Sequence, residues 1–95
     1  MIRDFNTDVA ATGIPAVDML ADNIMYARKK MLPVKTAYLS KKAYGQFLAW
    51  VGFNLKDEFD FNAKYQFDGV NIEQGSSLMI KDCYLEYYGK EHIQA

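Results

Sequence analysis

Apolar residues recur at helical spacing in the first third of the chain. The stripe predicts a helix that enters at Pro15, where the missing N–H of proline costs nothing, and that ends before Pro33. Acidic residues stand toward its start and basic residues at its end, which suits the helix dipole. The predicted buried face consists of Val17, Leu20, Ala21, Ile24, Ala27 and Met31.

A short β-prone segment, VKTAYL over residues 34–39, follows this helix. Ser40 is then a natural N-cap for a second helix. We expect that helix to run through Val51, because Gly52 fits the C′ position that commonly ends helices. Its apolar residues keep helical spacing at Tyr44, Phe47, Leu48 and Val51.

Three strands are predicted in the segment 63–88. Asp68-Gly69 between two alternating runs indicates a two-residue type I′ hairpin turn. Gly75-Ser76-Ser77 separates the second run from a third, LMIKDCYLEYY over residues 78–88. We therefore expect an α+β fold in which two helices pack on one face of a mainly antiparallel sheet that ends in a three-strand meander.

The length of 95 residues predicts a single domain over 1–95. Residues 1–13 have no clean periodicity, and we interpret them as an arm or an edge strand. No apolar run approaches the length that crosses a membrane, and the N-terminus has no apolar signal region. We expect a protein of the host cytoplasm or of a virion that is not secreted and does not bind a membrane.

Charge is segregated along the chain although the net charge is only −1. Residues 28–56 carry seven basic and no acidic residues, and both flanking segments are acidic. A bipolar surface favours contact with an oppositely charged partner or a second copy. The candidates for a charged rim, or for phosphate contacts, are Arg28, Lys29, Lys30, Lys41 and Lys42. A pI near 5.7 argues against a general nucleic-acid-binding protein.

Aromatic residues make up 15% of the chain. Tyrosine suits both a half-buried sheet face and a protein interface, so a tyrosine-rich wet sheet remains the alternative to an interface. Phenylalanines in the connection 53–62 either hold it to the core or face a partner, and the third strand is apolar on both sides. The predicted interface anchors are Phe59, Phe61, Tyr84, Tyr87 and Tyr88.

The residues that carry chemistry do not form a recognisable catalytic set. His92 is the single histidine, and Cys83, the single cysteine, lies among apolar neighbours where it behaves as a small hydrophobe. Asp57-Glu58-x-Asp60 lacks the spacing of an EF-hand loop, so a solvated acidic loop is favoured. No glycine-rich phosphate loop is present. We expect a protein without enzymatic activity, cofactor, metal or small-molecule substrate.

Two segments, TAYLSKKAYGQFLAWV and KYQFDGVNIEQ, resemble a pattern in tailed-phage major capsid proteins of the HK97 type. Tyr38-Leu39-Ser40, Tyr44 and Asp68-Gly69-Val70-Asn71-Ile72 carry it, and helix 16–31 stands where that family has its spine helix. The resemblance covers about residues 16–75, in a chain far shorter than a full capsid protein. It implies a phage-encoded structural or accessory protein and supplies no catalytic residue.

The leading hypothesis is a protein–protein interaction module, a small phage or viral structural component that self-associates or docks on a larger assembly. One alternative is a small inhibitor that binds a host or CRISPR-type protein. The other is a nucleic-acid-binding protein that uses the basic segment 28–56, with an affinity that falls steeply with salt.

Overall fold

One mixed sheet and two helices form the two layers of the protein in the computed structural model. It describes residues 12–60 and 63–88, together with the backbone of residues 2–5 and 93–94. The helices are α1 (Pro15–Lys29) and α2 (Lys41–Leu55), and a single 3₁₀ turn, Lys56–Glu58, follows α2. The strands are β1 (Ile2–Phe5), β2 (Val34–Leu39), β3 (Lys64–Phe67), β4 (Val70–Gln74), β5 (Cys83–Tyr87) and β6 (Ile93–Gln94).

The sheet corrects the predicted topology, although the α+β class is confirmed. The strand order among the described residues is β1-β3-β4-β2-β5-β6. β2 lies between β4, to which it is parallel, and β5, to which it is antiparallel. β1 is likewise parallel to β3. The prediction of a mainly antiparallel sheet ending in a meander is therefore wrong, because β5 pairs with β2 instead of β4.

The hairpin between β3 and β4 has the predicted type of turn. Asp68 and Gly69 both have positive φ, 54° and 80°, and Phe67 pairs directly with Val70. The Arg28 guanidinium at the end of α1 donates hydrogen bonds to the carboxylate and the backbone carbonyl of Asp68. This contact holds the turn beneath the helix.

A carboxylate near the start of α1 binds the segment that precedes the helix, although the N-cap residue Ile14 makes no side-chain capping bond. The Asp18 carboxylate accepts hydrogen bonds from the Thr12 N–H at 2.9 Å, the Thr12 hydroxyl at 2.9 Å and the Gly13 N–H at 3.2 Å. These donors favour the ionised carboxylate and lower the pKa of Asp18, with the Thr12 N–H as the largest cause. The helix start is thereby tied to the segment before it.

The end of α1 departs from the prediction at Met31. The Leu32 N–H donates to the Ala27 carbonyl and the Met31 N–H to the Arg28 carbonyl, which is the Schellman pattern. Met31 occupies the C′ position with φ of 61° and is 88% exposed. It therefore does not belong to the buried face, which ends at Ala27.

Helix α2 begins at the predicted cap and runs past the predicted end. The Ser40 hydroxyl accepts a hydrogen bond from the Ala43 N–H at 3.2 Å. The helix continues to Leu55, so Gly52 is an internal residue and not its C′. The Phe59 ring lies 3.6 Å from the position that a Cβ of Gly52 would occupy, so the chain after the helix packs back onto it.

The core lies between the helices and one face of the sheet. On α2, Phe47 and Trp50 contact Phe67 of β3 with ring centroids 6.5 and 5.9 Å apart. A bulge between Val34 and Thr36 of β2 interrupts the alternation of side chains in that strand. The buried hydrophobic residues of the described strands are Val34, Ala37, Leu39, Tyr65, Phe67, Val70 and Ile72.

Met31→Gly is expected to raise the free energy of unfolding by about 0.5 to 1 kcal/mol, because glycine adopts positive φ without the steric cost of a side chain. Urea denaturation measures the change. Met25→Gly is the matched control, since Met25 lies within α1 and is 47% exposed. Glycine there is expected to cost about 1 kcal/mol. Equal destabilisation by both variants would contradict the cap geometry.

Asp18→Asn is expected to lower the melting temperature at neutral pH, because the amide loses the charge that the three donors stabilise. The folded-state pKa of Asp18 lies below the unfolded value of 3.8. Its contribution is therefore complete above that value and is lost as the pH falls through the folded pKa. The difference from wild type should shrink in acid. Asp22→Asn removes the same charge from an exposed position of α1 and should change the melting temperature less.

Candidate protein-binding surface

Residues 75–82, here called the crossing loop, carry the chain from β4 to β5 over the end of β2. The Gly75 N–H donates to the Leu39 carbonyl at 2.8 Å, and the Ser40 N–H donates to the Asp82 carbonyl at 2.9 Å. The Ser40 hydroxyl also donates to the Asp82 carboxylate at 2.9 Å. Both ends of the loop are therefore fixed to the junction of β2 and α2.

The middle of the crossing loop places three consecutive apolar residues in two environments. Met79 turns inward, and its sulfur lies against Gly75, only 2.1 Å from where a Cβ would stand. Its neighbours Leu78 and Ile80 are 86% and 94% exposed. Burying a leucine or isoleucine side chain stabilises a folded protein by about 1.5 to 3 kcal/mol. The crossing loop forgoes this stabilisation for both side chains although it is fixed at its ends, which points to an interface.

A groove lies beside the crossing loop on the far face of the sheet, the face opposite α1 and α2. Its volume is about 310 Å³. Tyr38 and Tyr84, which pair across β2 and β5, both line it. We call it the tyrosine groove. Its lining residues are Tyr38, Gly75, Ser76, Met79, Tyr84, Leu85 and Glu86.

One acidic residue, Glu86, lines the tyrosine groove, and a second, Glu73, lies on the strand next to Tyr38. The Tyr38 hydroxyl donates a hydrogen bond to Glu86 at 3.3 Å, and Glu73 pairs with Tyr38 across β4 and β2. Burial, and then the negative charge of Glu86, raises the pKa of Tyr38, so this hydroxyl stays a neutral donor. The groove thus combines a largely apolar lining with the carboxylate of Glu86.

The predicted aromatic anchors do not form one surface. Tyr84 lies on the far face, whereas Tyr87 packs against the core on the helix side. Tyr88 is 56% exposed, and its N–H donates to the Pro33 carbonyl at the opposite end of the sheet from the crossing loop. Phe59 stacks on Tyr65 with centroids 6.1 Å apart. Phe61 lies outside the described residues.

The predicted basic residues are also separated. Lys29 and Lys30 stand at the end of α1, near the start of β2, and Lys41 and Lys42 open α2 beyond its end. A six-residue strand spans about 17 to 20 Å, so these are two patches and not one. The Arg28 side chain is paired with Asp68, and the Lys30 ammonium lies 5.4 Å from the centre of the Tyr26 ring.

A second and larger groove, of about 610 Å³, lies between α1 and β5. Met19 and Tyr26 line it from the helix, and Lys81 and Cys83 line it from the sheet side. Burial is the largest influence on Cys83 and raises the pKa of its thiol, against a hydrogen bond with Asn23. The thiol is therefore protonated at neutral pH, which makes it a poor nucleophile.

Residues 12–60 and 63–88 contain no group of three or more histidine, cysteine or carboxylate side chains placed to hold a metal ion. His92 lies outside the described residues. In the described ranges, neither helix combines the length and apolar character needed to span a bilayer.

No protein-family model matches the chain, and neither a curated protein nor a solved structure is significantly similar to it. The resemblance of residues 16–75 to HK97-type capsid proteins therefore rests on the quoted sequence pattern alone.

The sequence pattern does not single out Leu78, Met79 and Ile80 as interface residues, because it predicts one strand over 78–88 in which the tyrosines are the anchors. Two signals in the sequence argue against that strand. Eleven residues is long for a strand, which usually has five or six. Lys81-Asp82 places two consecutive charges where an alternating pattern would bury one of them. The observed strand begins only at Cys83.

Gly75→Ala is expected to expel Met79 from its contact, because the new methyl would lie 2.1 Å from the Met79 sulfur and 3.3 Å from the Tyr38 Cβ. The NMR signal of the Met79 methyl group should shift, while that of Met25 stays unchanged. Gly45→Ala is the matched control, since no atom lies within 4 Å of its Cβ position. It should leave Met79 unchanged and raise stability by up to about 1 kcal/mol.

Proposed function

We propose that this protein is a non-enzymatic protein–protein interaction module whose contact element is the crossing loop. The observation that carries the proposal is the exposure of Leu78 and Ile80, 86% and 94%, on a loop that is held at both ends. Contiguous exposed apolar side chains mark interaction sites in soluble proteins.

The anchoring of the loop supports binding because it lowers the entropy lost on association. A flexible segment loses conformational freedom when it docks, and this loss reduces its affinity. Here the contacts of Gly75, Met79 and Asp82 already restrict the loop. Leu78 and Ile80 are thus presented from an ordered backbone.

A structural or accessory role in a phage particle is one setting for such a module, and the resemblance of residues 16–75 is its support. The inhibitor hypothesis uses the same contact element with a foreign protein. Nucleic-acid binding gains no support from the separation of Lys29 and Lys30 from Lys41 and Lys42 by the length of β2.

Site-specific photocrosslinking tests the proposal. A photoreactive residue is placed singly at Leu78, Ile80, Phe53 or Met31, and the protein is irradiated both in purified form and in the cells that produce it naturally. Phe53 and Met31 are matched controls, because they are 79% and 88% exposed but lie outside the loop. We expect one discrete crosslinked protein from positions 78 and 80, and none from the controls.

The crosslinked protein is either a second copy of this chain or a foreign protein, and both results support an interaction module. Unlabelled wild-type protein should compete with the product, whereas Leu78→Asp/Ile80→Asp should not. Crosslinks of equal yield at all four positions, or at Met31 alone, would overturn the assignment of the crossing loop.

A further inference from the structure

The crossing loop and the tyrosine groove are complementary neighbours on one surface. Leu78 and Ile80 project from the loop, and Met79 between them forms part of the groove wall. In a two-fold interface the same surface patch of both copies forms the contact, so that patch must be complementary to itself. A projection beside a matching recess meets this requirement.

We propose that two copies of this chain form a two-fold dimer in which Leu78 and Ile80 of each copy enter the tyrosine groove of the other. This inference rests on the proposed function and names its partner. Each dimer contains two identical contacts, and each contact joins aliphatic side chains to the rings of Tyr38 and Tyr84.

The size of the groove fits its occupants. A cavity of about 150 Å³ accepts a benzene molecule, so a groove of 310 Å³ has room for two aliphatic side chains. Tyr38 and Tyr84 supply flat apolar surface, and the Met79 side chain adapts its shape to its contacts. Filling the groove removes the apolar surface of both sides from water.

The charges at the contact have opposite signs. Glu86 lines the groove, and Lys81, an exposed residue that also borders the groove between α1 and β5, directly follows Ile80 in the crossing loop. Because the ammonium of lysine is carried on a flexible stem, entry of Ile80 brings that of Lys81 toward the Glu86 carboxylate of the partner. The net charge of −1 adds little repulsion between copies.

The contact area predicts a weak and reversible dimer. Two projecting side chains per copy correspond to an interface at or below about 1,200 Å², the class of transient complexes. We therefore expect dissociation in the micromolar range or weaker, and a monomer–dimer equilibrium that depends on concentration.

Sedimentation velocity of the purified full chain, from micromolar to millimolar concentration, measures this equilibrium. Leu78→Asp/Ile80→Asp should raise the dissociation constant at least tenfold. Phe53→Asp and Met31→Asp should leave it unchanged although they remove equally exposed apolar side chains. Tyr84→Glu places a charge in the groove and should also raise it tenfold. Circular dichroism and thermal melting establish that each variant is folded.

A mixture of the two defective variants separates this contact from other dimers. In a mixed dimer, intact Leu78 and Ile80 of the Tyr84→Glu chain meet the intact groove of the Leu78→Asp/Ile80→Asp chain, so one contact of two is restored. We expect dimers in the mixture at concentrations where neither variant dimerises alone. No rescue, or full dimerisation of Tyr84→Glu alone, would overturn the exchange of side chains between groove and loop.

A wild-type chain that stays monomeric to millimolar concentration would overturn the dimer. The proposed function would then be decided by the crosslinking experiment alone. A foreign protein crosslinked at positions 78 and 80 would then preserve the interaction module without self-association. Absence of crosslinks at these positions would remove both.

Discussion

The burial of β2 between two neighbouring strands is the constraint on which the other features of this protein depend. β2 pairs with β4 on one side and β5 on the other, so the chain must leave β4, pass the end of β2 and enter β5. That passage creates the crossing loop. The pairing of β2 with β5 also places Tyr38 beside Tyr84, and both residues line the tyrosine groove.

Local signals were sufficient to predict the elements that short-range chemistry determines. The cap at Ser40, the strand Val34–Leu39 and the turn at Asp68-Gly69 depend on residues within four positions of each other, and all three are present. The sheet order was not predictable in this way. Whether β5 pairs with β4 or with β2 depends on long-range contacts, and the alternation of side chains is the same in both arrangements.

The candidate site, like the fold, was predictable from local sequence signals only in part. Tyr84 is predicted as an interface anchor because its strand is apolar on both sides, and the structure places it in the lining of the tyrosine groove. Tyr87 shares that pattern but packs against the core. Both residues are half-buried, and which of them faces the helices depends on where the helices lie, which no single strand encodes. Leu78 and Ile80 are exposed because the chain there belongs to a loop.

The attachment of the crossing loop to Leu39 and Ser40 couples recognition to conformational stability. These two residues join β2 to α2. A protein that binds the crossing loop therefore also stabilises the junction between β2 and α2. By linkage, occupancy of the loop raises the free energy required to open the sheet between β2 and β5. Slower amide exchange at Ser40, which does not line the tyrosine groove, would then report binding from a residue outside the contact.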